Sequence, residues 1–261
     1  MKYYVIDSFT DKIFSGNPAG VCLSDETLDE QTMQNIAAEN NLAETAFVIR
    51  NKDGDNFDLR WFTPAAEIDL CGHGTLASAF VISNFLDIGR KEMVFNTKSG
   101  VLSVLRKDDL YEMDFPAWEV KPAEITQLMR DAINAQISEA YLSRDLLLFV
   151  NSEEDVKNLT PDIDLLRNIP DCLGVVVTAK GDTADFVSRC FVPNMGIPED
   201  HVTGSTHSEL IPFWAKLLDK KIMTAKQLSK RGGILYCEDC GGRVKIAGKA
   251  VLYMTGEIID V

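Results

Sequence analysis

Between Leu76 and Leu86 almost every residue is Leu, Ala, Phe, Val or Ile, interrupted only by Ser78, Ser83 and Asn84. A helix built from such a run is apolar on every side, and the rest of the fold has to enclose it. At about eleven residues it is too short to cross a bilayer, which needs roughly 20. The segment in front supplies its entry: a strand-like Arg60-Trp61-Phe62, a turn marked by Pro64, then Cys71-Gly72-His73-Gly74-Thr75. Glycines there let the backbone turn tightly and leave the first amides of the helix bare, which makes that end a candidate anion site.

At 261 residues the chain exceeds the common single-domain size, so two domains are expected. A hydrophobic content of 46% is ample for sizeable cores. The formal net charge of −14 argues against nucleic acid or an anionic membrane as partner, because phosphate recognition needs clustered Lys and Arg. The opening Met1-Lys2-Tyr3-Tyr4-Val5 enters a strand-like run directly, without the pattern of a signal peptide or a membrane span. The six cysteines are scattered through apolar runs, which suits a reducing cytoplasmic compartment better than a disulfide framework.

In chain order, a strand is expected from Tyr3 to Phe9, and a turn over 14–21 feeds a second strand. Thr27-Leu28-Asp29-Glu30 fits a capping box for a helix running to about Asn40, with Asn40-Asn41 as its C-cap. A strand follows over Leu42–Ile49 with Glu44 at its mouth. Lys52-Asp53-Gly54-Asp55 reads as a hairpin turn into Arg60-Trp61-Phe62. Short strands are expected at Glu92–Asn96, Gly100–Arg106 and Leu110–Phe115, and Pro116 to Pro122 reads as a connection between domains. The second half offers strands at Ala140–Leu142, Leu146–Val150, Gly174–Thr178 and Asp185–Phe191, a helix near Asp162–Asn168, a second loop-plus-helix near 203–218, and a closing meander. Strands in close succession with few helices between them indicate an antiparallel α+β chain.

The two halves share punctuation. Arg60-Trp61-Phe62-Thr63-Pro64 matches Arg189-Cys190-Phe191-Val192-Pro193 in its Arg, Phe and Pro. Glu67 and Gly72 then match Glu199 and Gly204 at an offset of 132, about half the chain. A duplication of this kind predicts two similar domains facing across a cleft, each with a central helix whose N-terminus points at one ligand. A helix end contributes ~0.3–1 kcal/mol to an anion at an exposed site and up to ~2 when partly buried.

With these residues in hand, LAETAFV at 42–48, RWFTPAAEIDLCGHGTLA at 60–77, RCFVPNMGIPEDHVTGSTH at 189–207 and Arg231-Gly232-Gly233 closely resemble the phenazine-biosynthesis-like isomerase family, over the whole chain. The resemblance implies a diaminopimelate-epimerase-like α+β fold: two pseudo-symmetric domains, each a strongly curved, mostly antiparallel sheet wrapped around a central helix. The domains would cover residues 1–116 and 117–261, with the last strand free to return to the first. It also implies a cofactor-free, metal-free isomerase, usually a homodimer, acting on a small anionic metabolite in the cleft. The sequence departs from the family pattern at Gly74, His201 and Thr206, where Ala, Pro and Ala are commoner.

Glu44 is the expected general acid/base, by its match to the family's catalytic carboxylate and by its apolar neighbours Leu42, Ala43, Ala46 and Phe47, which favour partial desolvation. The resemblance assigns substrate contact to His73, Asp200 and Ser205. Gly72 and Gly204 are expected as backbone donors to a substrate carboxylate and to developing charge. A ring of His73 that meets only the positive end of the helix is expected to stay neutral. Cys71 stands where the distant diaminopimelate epimerases place one of two opposed thiol bases, but its counterpart here is Thr203. A two-thiol racemisation is therefore disfavoured, and Cys71 reads as a buried small side chain. The rival readings are an epimerase or racemase working alpha to a carboxylate, and a non-catalytic binding protein on the same scaffold. Cys237-Glu238-Asp239-Cys240 lacks the further Cys or His ligands that a zinc site needs.

Overall fold

A helix apolar on all sides needs neighbours on all sides, and the computed structural model, which describes residues 1–51 and 56–259, provides them. The hairpin turn expected at Lys52-Asp53-Gly54-Asp55 lies outside the described residues. Two units emerge: Met1–Asp114 with Ala247–Val261, and Phe115–Ile246. The described elements are mostly strands with few helices, an α+β chain, and no helix is long and apolar enough to cross a membrane.

In the first unit β1 (Lys2–Ser8) pairs antiparallel with β2 (Asn17–Ser24) on one side and with the last strand, Ala250–Glu257, on the other. Helix α1 (Glu30–Asn40) carries the chain to β3 (Glu44–Arg50), which lies parallel to β2 and antiparallel to β4 (Phe57–Phe62). After β5 (Glu67–Ile68), helix α2 (Gly72–Val81) crosses to the strand Glu92–Thr97, parallel to β4. Both parallel joints thus use a helical crossover, as parallel pairing requires, and the unit's other described pairings are antiparallel, which makes the sheet mostly antiparallel, as expected. Strand period two sorts the side chains by face. Tyr3, Val5, Cys22, Phe47 and Phe62 pack on Met33, Ile36 and Ala37 of α1. The alternate residues, including Glu44, Ala46 and Val48, turn to the opposite face, where α2 packs on β1, β2 and β3. Being covered on both faces, β3 is buried over six consecutive residues.

Two local expectations change. Asp29, not Thr27, caps α1: its carboxylate accepts the Thr32 N–H at 3.0 Å and its hydroxyl as well, while Asn41 closes the helix in the left-handed region. Helix α2 begins earlier than the apolar run, at Gly72, and after Val81 it loosens into a π-turn over Ile82–Leu86. The polar interruptions are satisfied at home. Thr75 Oγ1 donates to the Cys71 carbonyl, Ser78 Oγ to that of Gly74, and Ser83 shares a hydrogen bond with Tyr111.

In the second unit, strand Leu146–Val150 runs parallel to Val175–Lys180, which pairs antiparallel with Phe186–Val192, itself parallel to Ile222–Gln227. One face is covered by the short helices Gln127–Ala132, Glu153–Lys157 and Ile163–Arg167, through Met129, Val156 and Leu166. The other receives the helix His207–Leu218, whose Trp214 stacks on Phe186 at 5.5 Å and donates its indole N–H to Thr178. The repeated punctuation has the same physical cause in both units. Arg60 binds Glu67 through Nε at 2.7 Å and lies over Phe62, and Arg189 binds Glu199 through Nε at 2.6 Å and lies over Phe191. In each unit the forked pair staples a strand to the short strand that precedes the long helix, Glu67–Ile68 in the first and Ile197–Asp200 in the second.

Gly248 marks how tightly α2 is held. A Cβ there would fall 2.4 Å from Cδ1 of the fully buried Phe9 and 3.1 Å from Leu76. Gly248→Ala should therefore destabilise the protein by about 1–3 kcal/mol through overpacking, read as a lower urea midpoint. An unchanged midpoint would mean that Phe9 can move aside.

Candidate active site

The first unit brings three strand and helix termini to one place. Ser8 ends β1, Asn17 begins β2 and Glu44 begins β3, with Ser8 paired to Asn17 and Ala19 to Glu44 across the sheet. Helix α2 starts against them. Ser8 Oγ donates to the His73 carbonyl at 2.9 Å, which fixes the first turn, and the Asn17 amide lies 3.2 Å from His73 Nδ1. The near atom is Nδ2, which donates to a bare Nδ1; turned over, the amide accepts at Oδ1 from a protonated one. Cys71 is the N-cap residue, its Sγ accepting the Gly74 N–H at 3.3 Å. Gly74 suits this close seating, since a Cβ there would approach Trp61 Cδ1 to 2.9 Å and Cys71 Sγ to 3.0 Å.

Glu44 and His73 meet. Glu44 Oε2 lies 2.8 Å from His73 Nε2, and both side chains are buried. The contact has an ion-pair distance without hydrogen-bond alignment, so Glu44 Oε2 is left with no hydrogen-bond partner. Burial works against a charged His73 ring. The acidic neighbours Cys71 and Glu44 outweigh it and hold its pKa well above the ordinary value. Between those two the carboxylate is the effective partner, because burial raises the Cys71 thiol and keeps it protonated, though His73 pulls the other way. Two charges at this distance attract by about 6 kcal/mol at an effective dielectric near 20, whereas a helix N-terminus opposes a cation by up to ~2 kcal/mol. The expectation of a neutral His73 is thereby corrected: it considered the helix end alone, and the carboxylate from β3 reverses the sign.

Gly72 and His73 are the first two residues of α2. Their amides precede those engaged by the cap, since the Gly74 N–H goes to Cys71 Sγ and the Thr75 N–H to the Cys71 carbonyl.

The second unit places the other expected residues differently. Its helix begins at His207, so Ser205 and Gly204 stand in a turn ahead of it and not at its first residue. The cause is three successive i to i+3 hydrogen bonds, from the His207, Ser208 and Glu209 N–H groups to the Gly204, Ser205 and Thr206 carbonyls, which tighten the entry. Asp200 accepts the Thr203 hydroxyl at 2.6 Å, and Gln227 ties down the Thr203 N–H and the Asp200 carbonyl. His207 lies fully buried with Nδ1 2.8 Å from the Thr203 carbonyl, and burial pushes its pKa down to about 4, so the ring is neutral and braces the turn.

Sequence reasoning missed Arg144. Its guanidinium lies over the Trp118 ring at 4.7 Å and pairs with the fully buried Asp145, and Nη2 donates to Ser205 Oγ at 3.1 Å. With one lone pair of Ser205 occupied, its own hydroxyl proton is left for another acceptor. Behind it, the Asp145 N–H donates to Glu209, whose pKa is pushed up to about 7 by burial and by the Asp145 charge. Nothing in the first half of the repeat marks position 144, so the alignment of halves carried no signal for it.

Comparison with known proteins places these observations. The family model described as phenazine biosynthesis-like protein matches residues 6–256. An uncharacterised isomerase of Pseudomonas aeruginosa is 46% identical over 258 residues, covering 99% of this chain and 98% of its own. A crystal structure of a phenazine biosynthesis PhzC/PhzF protein from Clostridium difficile superposes with a TM-score of 0.94 at 51% identity, covering 99% of each chain. One of a PhzF-family protein from Enterococcus faecalis gives 0.96 at 46% identity, covering 98% of each. A probable proline racemase from Agrobacterium radiobacter shares the fold alone, with a TM-score of 0.66 at 8% identity over 99% of this chain and 93% of its own.

The charge assignment at His73 has a measurable sign. A folded-state pKa above the unfolded value near 6.5 means that the native protein holds the extra proton. This contribution is complete below about pH 6.5 and is lost as the pH rises through the folded value. Unfolding free energies from urea titrations should therefore fall with rising pH above about 6.5, by up to about 1.4 kcal/mol per unit for one proton. Glu44→Gln, which leaves burial to dominate His73, should remove that component of the slope. Identical slopes in the two proteins would refute the assignment.

Proposed function

This chain belongs to the phenazine biosynthesis-like family, and from that premise we propose that it is an isomerase that moves a proton within a small carboxylate-bearing metabolite by single-base catalysis at Glu44. The observation that carries the reading is the buried Glu44 Oε2, which lacks a hydrogen-bond partner and faces His73 at 2.8 Å. A buried, unsatisfied carboxylate oxygen costs about 1–3 kcal/mol or more, and such a cost is retained where the atom has a task.

In this mechanism Glu44 removes a proton from a carbon conjugated with the substrate carboxylate. The electron pair left behind spreads into that conjugated system, and the proton returns from Glu44 to a different carbon on the same face. His73, held charged, stabilises the negative charge as it develops, together with the amides of Gly72 and His73. Asp200, Gly204 and Ser205 are the further substrate contacts in this reading, with Ser205 presented as a donor by Arg144. The chemistry calls for no metal or organic cofactor. Its anionic substrate is attracted by local charges and dipoles in a chain whose net charge is −14. Relatives named isomerases support the reaction class.

A two-base epimerase or racemase is the weaker reading. It needs a second base opposite the first, and Thr203 at the matching position gives its hydroxyl proton to Asp200. Cys71, for its part, is a raised-pKa thiol whose sulfur caps a helix.

Incubation of the enzyme with a bacterial metabolite extract in heavy water should add one deuterium to a carbon-bound position of a carboxylic acid, detected by mass spectrometry against an enzyme-free control. Glu44→Gln should slow that uptake by about 10²–10⁴-fold, the usual worth of a general acid/base. Uptake at the wild-type rate in Glu44→Gln would end the assignment.

A further inference from the structure

The same corner holds a set of donor atoms that proton transfer alone does not explain. Cys71 Sγ, one nitrogen of His73 and a Glu44 carboxylate oxygen all lie within 4.8 Å of one another, and all three residues are buried. The His73 Nε2 atom stands 3.9 Å from Cys71 Sγ and 2.8 Å from Glu44 Oε2. A tetrahedral zinc ion, with bonds of about 2.3 Å to sulfur and about 2.0–2.2 Å to nitrogen and oxygen, separates neighbouring ligands by about 3.3–3.6 Å. Those two separations straddle that range and the third, between Glu44 and Cys71, is within 4.8 Å, so shifts of up to about 1 Å would close the site. One thiolate, one imidazole and one carboxylate leave a fourth position for water, the pattern of an open zinc site.

A second observation supports a ligand. Buried Glu44 Oε2 has no aligned hydrogen bond, and its close polar neighbour is His73 Nε2, whose proton a metal replaces. Asn17 supplies the outer support: its Nδ2 lies 3.2 Å from His73 Nδ1, and with the amide turned over its Oδ1 accepts the Nδ1–H of a ring that ligates through Nε2. The Ser8 bond to the His73 carbonyl holds the ring's backbone in place.

We propose that Cys71, His73 and Glu44 form a binding site for a thiophilic divalent cation of the zinc class. Binding replaces the thiol proton of Cys71 and the Nε2 proton of His73 by the metal, and both protons leave to solvent. No electron is transferred. The metal takes the lone pairs that Glu44 needs as a base, so the ion inhibits reversibly and excludes turnover while bound. This consequence rests on the isomerase reading above, whereas the site itself does not.

Cobalt(II) titrated into the reduced, metal-free full-length protein is the test, because a Co–thiolate bond gives a near-ultraviolet charge-transfer band. The band should saturate at one equivalent and disappear on addition of zinc. It should vanish in Cys71→Ala and need at least tenfold more cobalt in His73→Gln, with circular dichroism reporting the fold of each variant. The double variant Cys237→Ser/Cys240→Ser should keep it. Absence of a band in the folded wild type overturns the site, as does a band that survives Cys71→Ala and is lost in the Cys237/Cys240 variant. Should Cys71→Ala fail to fold, the tenfold shift in His73→Gln decides, and an unchanged affinity there also overturns it. Deuterium uptake measured with and without zinc separates the two readings. Uptake that continues with the site filled refutes inhibition through Glu44 and leaves the metal site standing. Uptake in a protein that shows no cobalt band refutes the metal site and leaves the isomerase reading standing.

Discussion

Burial of α2 on every side is the constraint from which the first unit follows. From Gly72 to Val81 only Phe80 is even partly exposed. Leu76, Val81 and Ile82 alone contribute about 1.5–3 kcal/mol each when taken out of water. A helix so enclosed needs a sheet against it, and that sheet needs cover on its far face, which α1 gives through Met33, Ile36 and Ala37. The start of α2 is enclosed too, by strands that themselves begin or end there. Ser8, Asn17 and Glu44 are terminal residues of three strands, and so the enclosure that hides the helix delivers three polar side chains to its first turn. The candidate site is a by-product of the packing that makes the unit stable.

Electrostatics then decide what that corner can do. An N-terminal helix end by itself favours anions, and it would keep an imidazole neutral. Glu44 overturns this because it approaches closely in a place from which water is largely removed. The result is a charged pair with one unsatisfied carboxylate oxygen, so that positive charge and a free base sit side by side. The second unit meets the corresponding geometry with other means. Thr203 is neutralised by Asp200, His207 is buried neutral, and positive charge arrives from Arg144, carried on the loop ahead of strand Leu146–Val150 and laid over Trp118. A duplicated frame is therefore furnished with different chemistry in its two copies.

How much of this the sequence discloses depends on the range of the interaction. Arg60 with Glu67 and Arg189 with Glu199 are close in the chain, seven and ten residues apart, so the duplicated punctuation was visible in the sequence, and the structure gives it its meaning as an ion pair. The long strands were legible from their apolar runs, whereas helices Gln127–Ala132 and Glu153–Lys157 are too short for a helical period to register. Glu44 and His73 were each legible as candidates. Their contact was not, because it depends on which face of β3 the first residue occupies, and the charge on His73 depends on that contact. The late start of the second helix was hidden for a related reason. Thr203-Gly204-Ser205-Thr206 aligns with the start of α2, and His207 Nδ1 meets the Thr203 carbonyl as Thr75 Oγ1 meets that of Cys71, but the Gln227 side chain that also holds Thr203 comes from a distant strand the alignment of halves does not mark.

Cys71 is where these constraints meet. Ser, Thr, Asp and Asn cap helices better than a thiol does, so sulfur is a poor choice for the cap alone. An Asp at this position would cap α2 strongly, yet it would set a second carboxylate beside Glu44. Like charges at such a distance raise one another's pKa, and both would compete for the proton on His73. A thiol kept protonated by burial accepts the Gly74 N–H without adding that charge, which leaves the imidazolium to Glu44 and to whatever negative charge a substrate develops. The sulfur also keeps a latent property that a hydroxyl would lack. It ionises when a soft cation supplies the compensating charge, so the residue that keeps the resting site electrically simple is also the one through which a metal could hold it shut.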